Sequence, residues 1–306
     1  MRLQRRECLL LAVMAAAVAT PALAQTQASI PDLSGIWWHQ SLPGMEPPAS
    51  GPGPVTNLMR RKDNGASDYN QLVGNHKNPI LKPQTAEIVK KYGEVALGGQ
   101  VAPSPANQCW PEPVPFIYKN FAVQLLQQPH QVTILYEQDH EVRHVRMNQQ
   151  HPTALTPSWF GDSVGHYEGD TLVIDTVGTR TDRKYAMVDL FGTPFTEKLH
   201  VVERYRLIDF EAAKEGLARD AKENWRPVGP ARSTGKHLQV QFTVEDEGAF
   251  TMPWSGTVTY GRGSDDWPEI VCAENIKKYY EPDTDVPTTV VQWCRPEVLV
   301  LTCWLR

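Results

Sequence analysis

The feature that most constrains this chain is a succession of short strand-like segments from Phe121 to Tyr260, each bounded by turn residues. Leu238, Val240, Phe242 and Val244 alternate with Gln239, Gln241, Thr243 and Glu245, a period of two that belongs to a strand with one face in a core. Phe121–Gln127 and Gln131–Gln138 are rich in β-branched and aromatic residues, with Pro129-His130 between them. Glu141–Asn148 is a further candidate strand, and Ser163–Tyr167 and Thr171–Val177 flank Glu168-Gly169-Asp170 as a hairpin would. His200–Ile208, Ser255–Tyr260, Glu269–Cys272 and a last segment, Val298–Leu301, extend the series. Ser34–His39 reads as a first strand. Many short strands of this kind predict an antiparallel sandwich or barrel. Two helices are expected at its periphery, one opening at Lys82-Pro83 and running to Gly93 or Gly98, one over Phe210–Asn224. The proline- and glycine-rich stretch 41–57 and the polar run after it read as a long irregular excursion of one domain.

The amino terminus reads as an export signal. Arg2, Arg5 and Arg6 precede the apolar run Leu9–Ala19, and Ala22-Leu23-Ala24 is a cleavage site, so the expected organisation is a signal peptide over 1–24 and one β domain over 25–306. That domain carries an irregular segment at 41–116 and a helical insert at about 210–234. The apolar run is too short to span a bilayer, so no membrane anchor is expected. Arg5-Arg6 followed by Leu9-Leu10 also fits a twin-arginine signal, and the general secretory route stays open beside it. Cleavage removes three arginines and one glutamate from totals of 30 and 35, leaving 27 basic against 34 acidic residues. An exported chain of that charge is poorly suited to nucleic acid or anionic membranes. Of the five cysteines, Cys109, Cys272, Cys294 and Cys303 remain after cleavage, and in an oxidising compartment four cysteines allow three pairings. Cys109 with Cys272 and Cys294 with Cys303 is the favoured set; one pair staying reduced and buried is the alternative.

Two short motifs carry possible chemistry. His140-Glu141-Val142-Arg143-His144 matches the H-E-x-x-H zinc signature, which works only on a helix that puts both histidines on one face. Val132–Tyr136 favours strand over helix, and the third ligand of the extended motif does not appear, so zinc on His140 and His144 is a minor expectation and no metal site is assigned. Gly161-Asp162-Ser163-Val164-Gly165 matches G-x-S-x-G, but the strand and helix that a nucleophile elbow needs do not flank it. There is no dinucleotide fingerprint, P-loop or haem attachment motif, so no such cofactor is supported.

The five histidines between His140 and His200 are a looser signal, because carboxylates lie close to them in sequence. His166, His200 and His144 are acid–base candidates, oriented by Asp162, Asp175 or Glu203. Trp159, Tyr205, Trp38, His151 and Trp254 are the candidates for contacting a ligand, since aromatic side chains in a β-barrel can line a site for apolar or aromatic molecules.

Several longer blocks carry a resemblance. They are Cys109-x-Pro111, Arg143 with His151-Pro152, the run Pro157–Thr176, His200-Val201-Val202-Glu203-Arg204, Glu245-Asp246, Pro253-Trp254 and Glu269–Asn275. Together they are similar to a large family of uncharacterised exported bacterial proteins of the acidobacterial and sphingomonad type. Ser34-Gly35-Ile36-Trp37 also resembles the opening of lipocalin-type barrels. The resemblance implies a lipocalin-like (calycin-like) antiparallel β-barrel, and a strand hairpin around His140. No activity carries over from that family. The residues therefore leave three expectations: a cofactor-independent periplasmic lyase, isomerase or cyclase acting on a small apolar or aromatic molecule; a lipocalin-like binding protein without chemistry; or a zinc or serine hydrolase.

Overall fold

Inward-facing apolar residues at every second position require a sheet that buries one face, and closing that sheet removes its edges. In the computed structural model, which describes residues 30–39, 44–182, 185–223, 235–263 and 267–272, nine strands form such a closed barrel. They are β1 (Gly35–Trp38), β2 (Ala122–Gln127), β3 (Gln131–Tyr136), β4 (Val142–Met147), β5 (Asp162–Glu168), β6 (Thr171–Val177), β7 (His200–Asp209), β8 (Lys236–Glu245) and β9 (Trp254–Arg262). Each strand pairs with its sequence neighbour, and β9 returns to β1 through Trp37 opposite Arg262. Two helices lie outside, α1 (Pro83–Leu97) and α2 (Phe210–Glu223), and a single 3-10 turn spans Phe116–Lys119.

The expected purely antiparallel sheet needs one correction: β4 and β5 run parallel, with Val145 opposite Ser163 and Met147 opposite Gly165. A parallel neighbour needs a long return rather than a hairpin, and residues 148–161 supply it. Gly165 lets the two strands approach, since a Cβ there would sit 2.9 Å from Val145 Cγ1. Elsewhere short turns set the register. Gly169 has φ +61° in the two-residue turn between β5 and β6. Asp139 and His140 have φ +52° and +53° between β3 and β4, and positive φ at both central positions makes a tight hairpin whose twist matches its strands.

The irregular excursion is ordered by isolated backbone bridges, Asn57 with Gly74 and Arg60 with Ser67, and by side chains. The Asn57 amide donates to Ser67 Oγ and to the carbonyls of Asp68 and Gln71, while its oxygen accepts from the backbone of Met59 and Val73. The sequence expectation of a helix at Pro83 is met by α1, with proline in its first turn. The helical insert is described as α2 up to Glu223; residues 224–234 lie outside the described residues, as do the export signal, the segment Val298–Leu301 and Cys294 with Cys303. Cys109 and Cys272 form a disulfide, which ties the segment ahead of the 3-10 turn to the chain after β9. No helix among the described residues is long and apolar enough to cross a membrane.

Candidate functional site

Two polar systems stand out against the apolar core, one inside the barrel and one on its outer face. Inside, the inward phase of β4 reads Arg143, Val145, Met147 and that of β7 reads Val201, Glu203, Tyr205, so a cation and an anion enter a core otherwise made of apolar and aromatic side chains. Arg143 is 2% exposed and Glu203 is fully buried. Arg143 Nη1 donates to Glu203 Oε1 at 2.9 Å, Nη2 donates to Glu203 Oε2, and Nη2 also donates to Thr176 Oγ1 at 2.6 Å. Arg143 Nε donates to Ser163 Oγ at 3.0 Å. Tyr118, on the 3-10 turn, reaches in and donates to Glu203 Oε1, which also accepts from the Tyr205 hydroxyl at 2.8 Å. Tyr136 OH is buried beside the guanidinium without a well-formed hydrogen bond.

Burial pulls the Arg143 guanidinium down, but Glu203 outweighs it and holds the cation well above its ordinary value. Burial, reinforced by the Glu203 charge, pushes the Tyr118 and Tyr205 hydroxyls far up; burial pushes Tyr136 up to about 12. All three phenols therefore stay neutral at physiological pH. Phe242 stacks on Tyr118 at 5.2 Å and meets Trp254 edge-on, so an aromatic cluster fills the space above the ion pair.

The outer system is a chain of alternating charges across β4 to β8. Arg146 Nη2 donates to Asp162 Oδ2 at 2.7 Å. Asp162 Oδ2 lies 2.7 Å from His151 Nδ1, and Asp175 Oδ1 lies 3.1 Å from His151 Nε2 and 3.0 Å from His200 Nε2. His200 Nδ1 is 3.6 Å from Glu245 Oε2. The register explains the convergence, since Asp175 on β6 faces Val202 on β7 and His200 faces Glu245 on β8. The Asp175 hydrogen bond raises His200 above its ordinary value against the opposing effect of burial. The same hydrogen bond, helped by His151, holds the Asp175 carboxyl low. At Asp162 burial works against ionisation, and the His151 and Arg146 hydrogen bonds overcome it.

His200 ends this chain at an open cleft of about 420 Å³. Phe250, Met252 and Pro253 of the β8–β9 connection are its apolar lining, and Lys198, Glu245, Asp246, Glu247 and Thr251 line it with His200. Asp246 holds that connection in shape by accepting from the backbone of Thr196 and Gly248. Histidine–carboxylate pairs beside an apolar wall, together with an interior aromatic cluster, are features compatible with a small-molecule site.

The sequence candidates separate into groups that the fold does not join. His166 is outside, 3.0 Å from Glu168 Oε1, and shares no partner with His200. Asp162 meets His151 rather than His166, and Glu203 meets Arg143 rather than either histidine. His144 points outward to Gln131, and Ser163 lies in β5 against Arg143 and Thr176, not on a nucleophile elbow. The zinc reading needed a helix over 131–150; that stretch is the β3–β4 hairpin, which leaves His140 in the turn and His144 on a strand. Among the described residues no group of three or more His, Cys, Asp or Glu is arranged to hold a metal ion. Trp159 packs against Trp110 under the Arg180 guanidinium, Tyr205 and Trp254 are interior, and Trp38 is 41% exposed.

Tyr118 and the wall residue Met252 went unselected by sequence reasoning. Tyr118 has no periodic signal, because it comes from a one-turn helix. Arg143 entered only through the resemblance, although a charge in phase with Val145 and Met147 is a visible mark of a buried ion. Comparison of the chain with protein-family models, with curated proteins and with solved structures finds no match in any of the three.

Proposed function

We propose that this chain is an exported protein that binds a small molecule with an apolar body in the cleft beside His200. The observation that carries the reading is the end of the outer charge chain: His200, fixed by Asp175, stands over the wall of Phe250, Met252 and Pro253. Phe250, Met252 and Pro253 would cover the apolar body of a ligand, and the polar residues lining the same cleft, Lys198, His200, Glu245, Asp246, Glu247 and Thr251, would orient its polar groups. The volume of about 420 Å³ suits a ligand of one or two rings. Export to the periplasm belongs to the same proposal, as does membership of the exported family. The residues behind that resemblance include Arg143, His151, Asp162, Asp175, His200 and Glu203, all of them in one of the two polar systems.

A fragment screen read by amide NMR tests the site. Bound fragments are expected to shift the signals of Lys198, His200, Glu245 and 250–253, and Met252→Asp should abolish those shifts by placing a charge on the apolar wall. Fragments that shift other regions only, or shifts that persist in Met252→Asp, overturn the proposal.

Acid–base chemistry at the same cleft is the second reading, favoured by one observation. Asp175 engages His200 Nε2, which leaves Nδ1, 3.6 Å from Glu245, as the nitrogen able to exchange a proton with a bound molecule. Under that reading His200→Asn retains fragment binding and loses turnover of whichever bound molecule is consumed.

A further inference from the structure

A groove of about 330 Å³ lies on the outer face of β7, β8 and β9, bordered by Arg219 of α2 and by Pro48 and Ala49 of the irregular excursion. Its volume is at the small end of the range for small-molecule sites. Strand register builds the floor. Arg204 on β7 faces Gln241 on β8, Gln241 faces Thr257 on β9, and Thr257 bridges to Glu46, so four polar side chains stand in one row. Two positions along, Val202, Thr243 and Ser255 make a second row. Gln239 lines the groove on the other side of the first. Neighbouring strands are about 5 Å apart and alternate residues of one strand about 7 Å apart, so one ring-sized molecule can meet both rows.

The charges around this groove are matched within the protein. Arg204 Nη2 donates to Glu168 Oε2, and Arg219 donates to Glu46 Oε1 at 3.2 Å and to the Pro47 carbonyl at 3.2 Å. The neutral groups are not matched. Among the described residues the Gln241 side-chain amide and the Thr257 hydroxyl have no protein partner, and Gln239 uses only its oxygen, which accepts from Arg206. The Thr243 and Ser255 hydroxyls bond to each other at 3.1 Å, which leaves one of their two protons to donate. Thr257 and Gln239 are each only 7% exposed. Their unmet hydrogen-bonding groups are therefore withdrawn from bulk water and open only to the groove they line, unlike those of an ordinary solvated strand face.

We infer that this groove binds a neutral sugar, a ring with several hydroxyls that lies across Gln241 and Thr257 with its C–H edges against Val202, Pro48 and Ala49. Each sugar hydroxyl both donates and accepts, which is what unpaired amides and hydroxyls require. A charged ligand would have to break the Arg204 or the Arg219 pair to find a counter-ion. None of the residues of the His200 cleft lines this groove, so the inference stands apart from the function proposed above.

An NMR titration of the purified full chain tests it, with D-glucose, D-galactose, maltose and lactose as probes and D-glucuronate and D-galacturonate as anionic twins. At least one neutral sugar is expected to shift, saturably, the side-chain amide signals of Gln239 and Gln241 and the backbone signal of Thr257. Gln241→Leu, at an exposed position where folding is not at risk, and Thr257→Val, which keeps the shape of the side chain, should each weaken that sugar about threefold to tenfold, the loss of one neutral hydrogen bond. The anionic twins should bind no more tightly than their parents, and Met252→Asp in the other cleft should leave sugar binding unchanged. Absence of a saturable shift with every neutral sugar, a twin that binds more tightly than its parent, wild-type affinity in Gln241→Leu or Thr257→Val, or loss of binding in Met252→Asp overturns the inference.

Discussion

The barrel interior and its outer face use the same kinds of side chain to opposite ends. Inside, Arg143 and Glu203 are sealed from water, and their remaining hydrogen-bonding capacity is taken up by Thr176, Ser163, Tyr118 and Tyr205. Outside, His151 and His200 share the Asp175 carboxylate in partial contact with solvent, and the chain ends on a cleft. A charge in a low-dielectric interior is costly unless every partner is present, so the inner pair fixes how β4, β5, β6 and β7 meet and has no freedom left for a ligand. A partly exposed pair loses little when it exchanges a partner, so the outer chain can release a proton or accept a ligand group. The difference separates a structural use of charge from an adaptable one.

Glu203→Gln gives the sharpest break of that contrast. The amide preserves shape and can still accept from the tyrosines, but it leaves the Arg143 cation uncompensated in the core. The expected loss is about 3–5 kcal/mol, read as a lower urea midpoint. Replacing both partners, Arg143→Met with Glu203→Leu, should cost less than Glu203→Gln alone. The stranded hydroxyls are already in contact, Tyr118 with Tyr205 at 3.1 Å and Ser163 with Thr176 at 3.0 Å, so they can pair with each other. A double variant less stable than the single one would mean that the pair contributes net stability rather than specificity.

Asp175→Asn probes the outer chain and should have a smaller, pH-dependent effect. His200 is raised by Asp175, so its contribution is present in full below its ordinary value of 6.5 and fades as pH rises through the raised one. Asp175 and Asp162 are lowered, so theirs are present above the ordinary carboxylate value of 3.8 and fade as pH falls through the lowered ones. The stability gap between wild type and Asp175→Asn should therefore be widest between about pH 4 and 6.5 and narrow on either side. Solvent screening at groups roughly a third exposed keeps it below about 1 kcal/mol. Urea midpoints measured across this range check the shape of the curve, and a gap that widens at pH 8 would contradict the assignment to His200. A histidine NMR titration of the same variant should show His200 moving down.

Much of the barrel was legible in the chain because its signals are local. The alternation in Leu238–Glu245, the Gly169 turn and the proline at the head of α1 each fix their element within a few residues. The parallel pairing of β4 with β5 was not legible, since it depends on where the return at 148–161 leaves the chain, and strand sequences carry no mark of direction. The candidate site was half legible. His151, Asp162, Asp175 and His200 were all visible as titratable residues, yet which of Asp162, Asp175 and Glu203 serves which histidine stayed open, and only Asp175 meets one of the expected acid–base histidines, His200. Which histidine meets which carboxylate is set by register across three strands, and composition cannot supply that. Tyr118 stayed hidden for the same reason: it joins Glu203 across 85 positions of sequence.

The smallest effect is expected at His166, the residue that sequence reasoning ranked beside His200. Its ring is 52% exposed and lies 3.0 Å from Glu168, whose other oxygen is held by Arg204. Arg204 lies four positions along β7 from His200, about 13 Å of strand, and the two clusters share no partner. His166→Ala removes a ring that is largely in water and leaves the Glu168–Arg204 contact in place. The urea midpoint should not move measurably, and fragment shifts at 250–253 should persist, in contrast with Met252→Asp. Loss of those shifts in His166→Ala would show that the site reaches across the outer face from β8 to β5, and the division drawn here between an idle histidine and a working one would have to be abandoned.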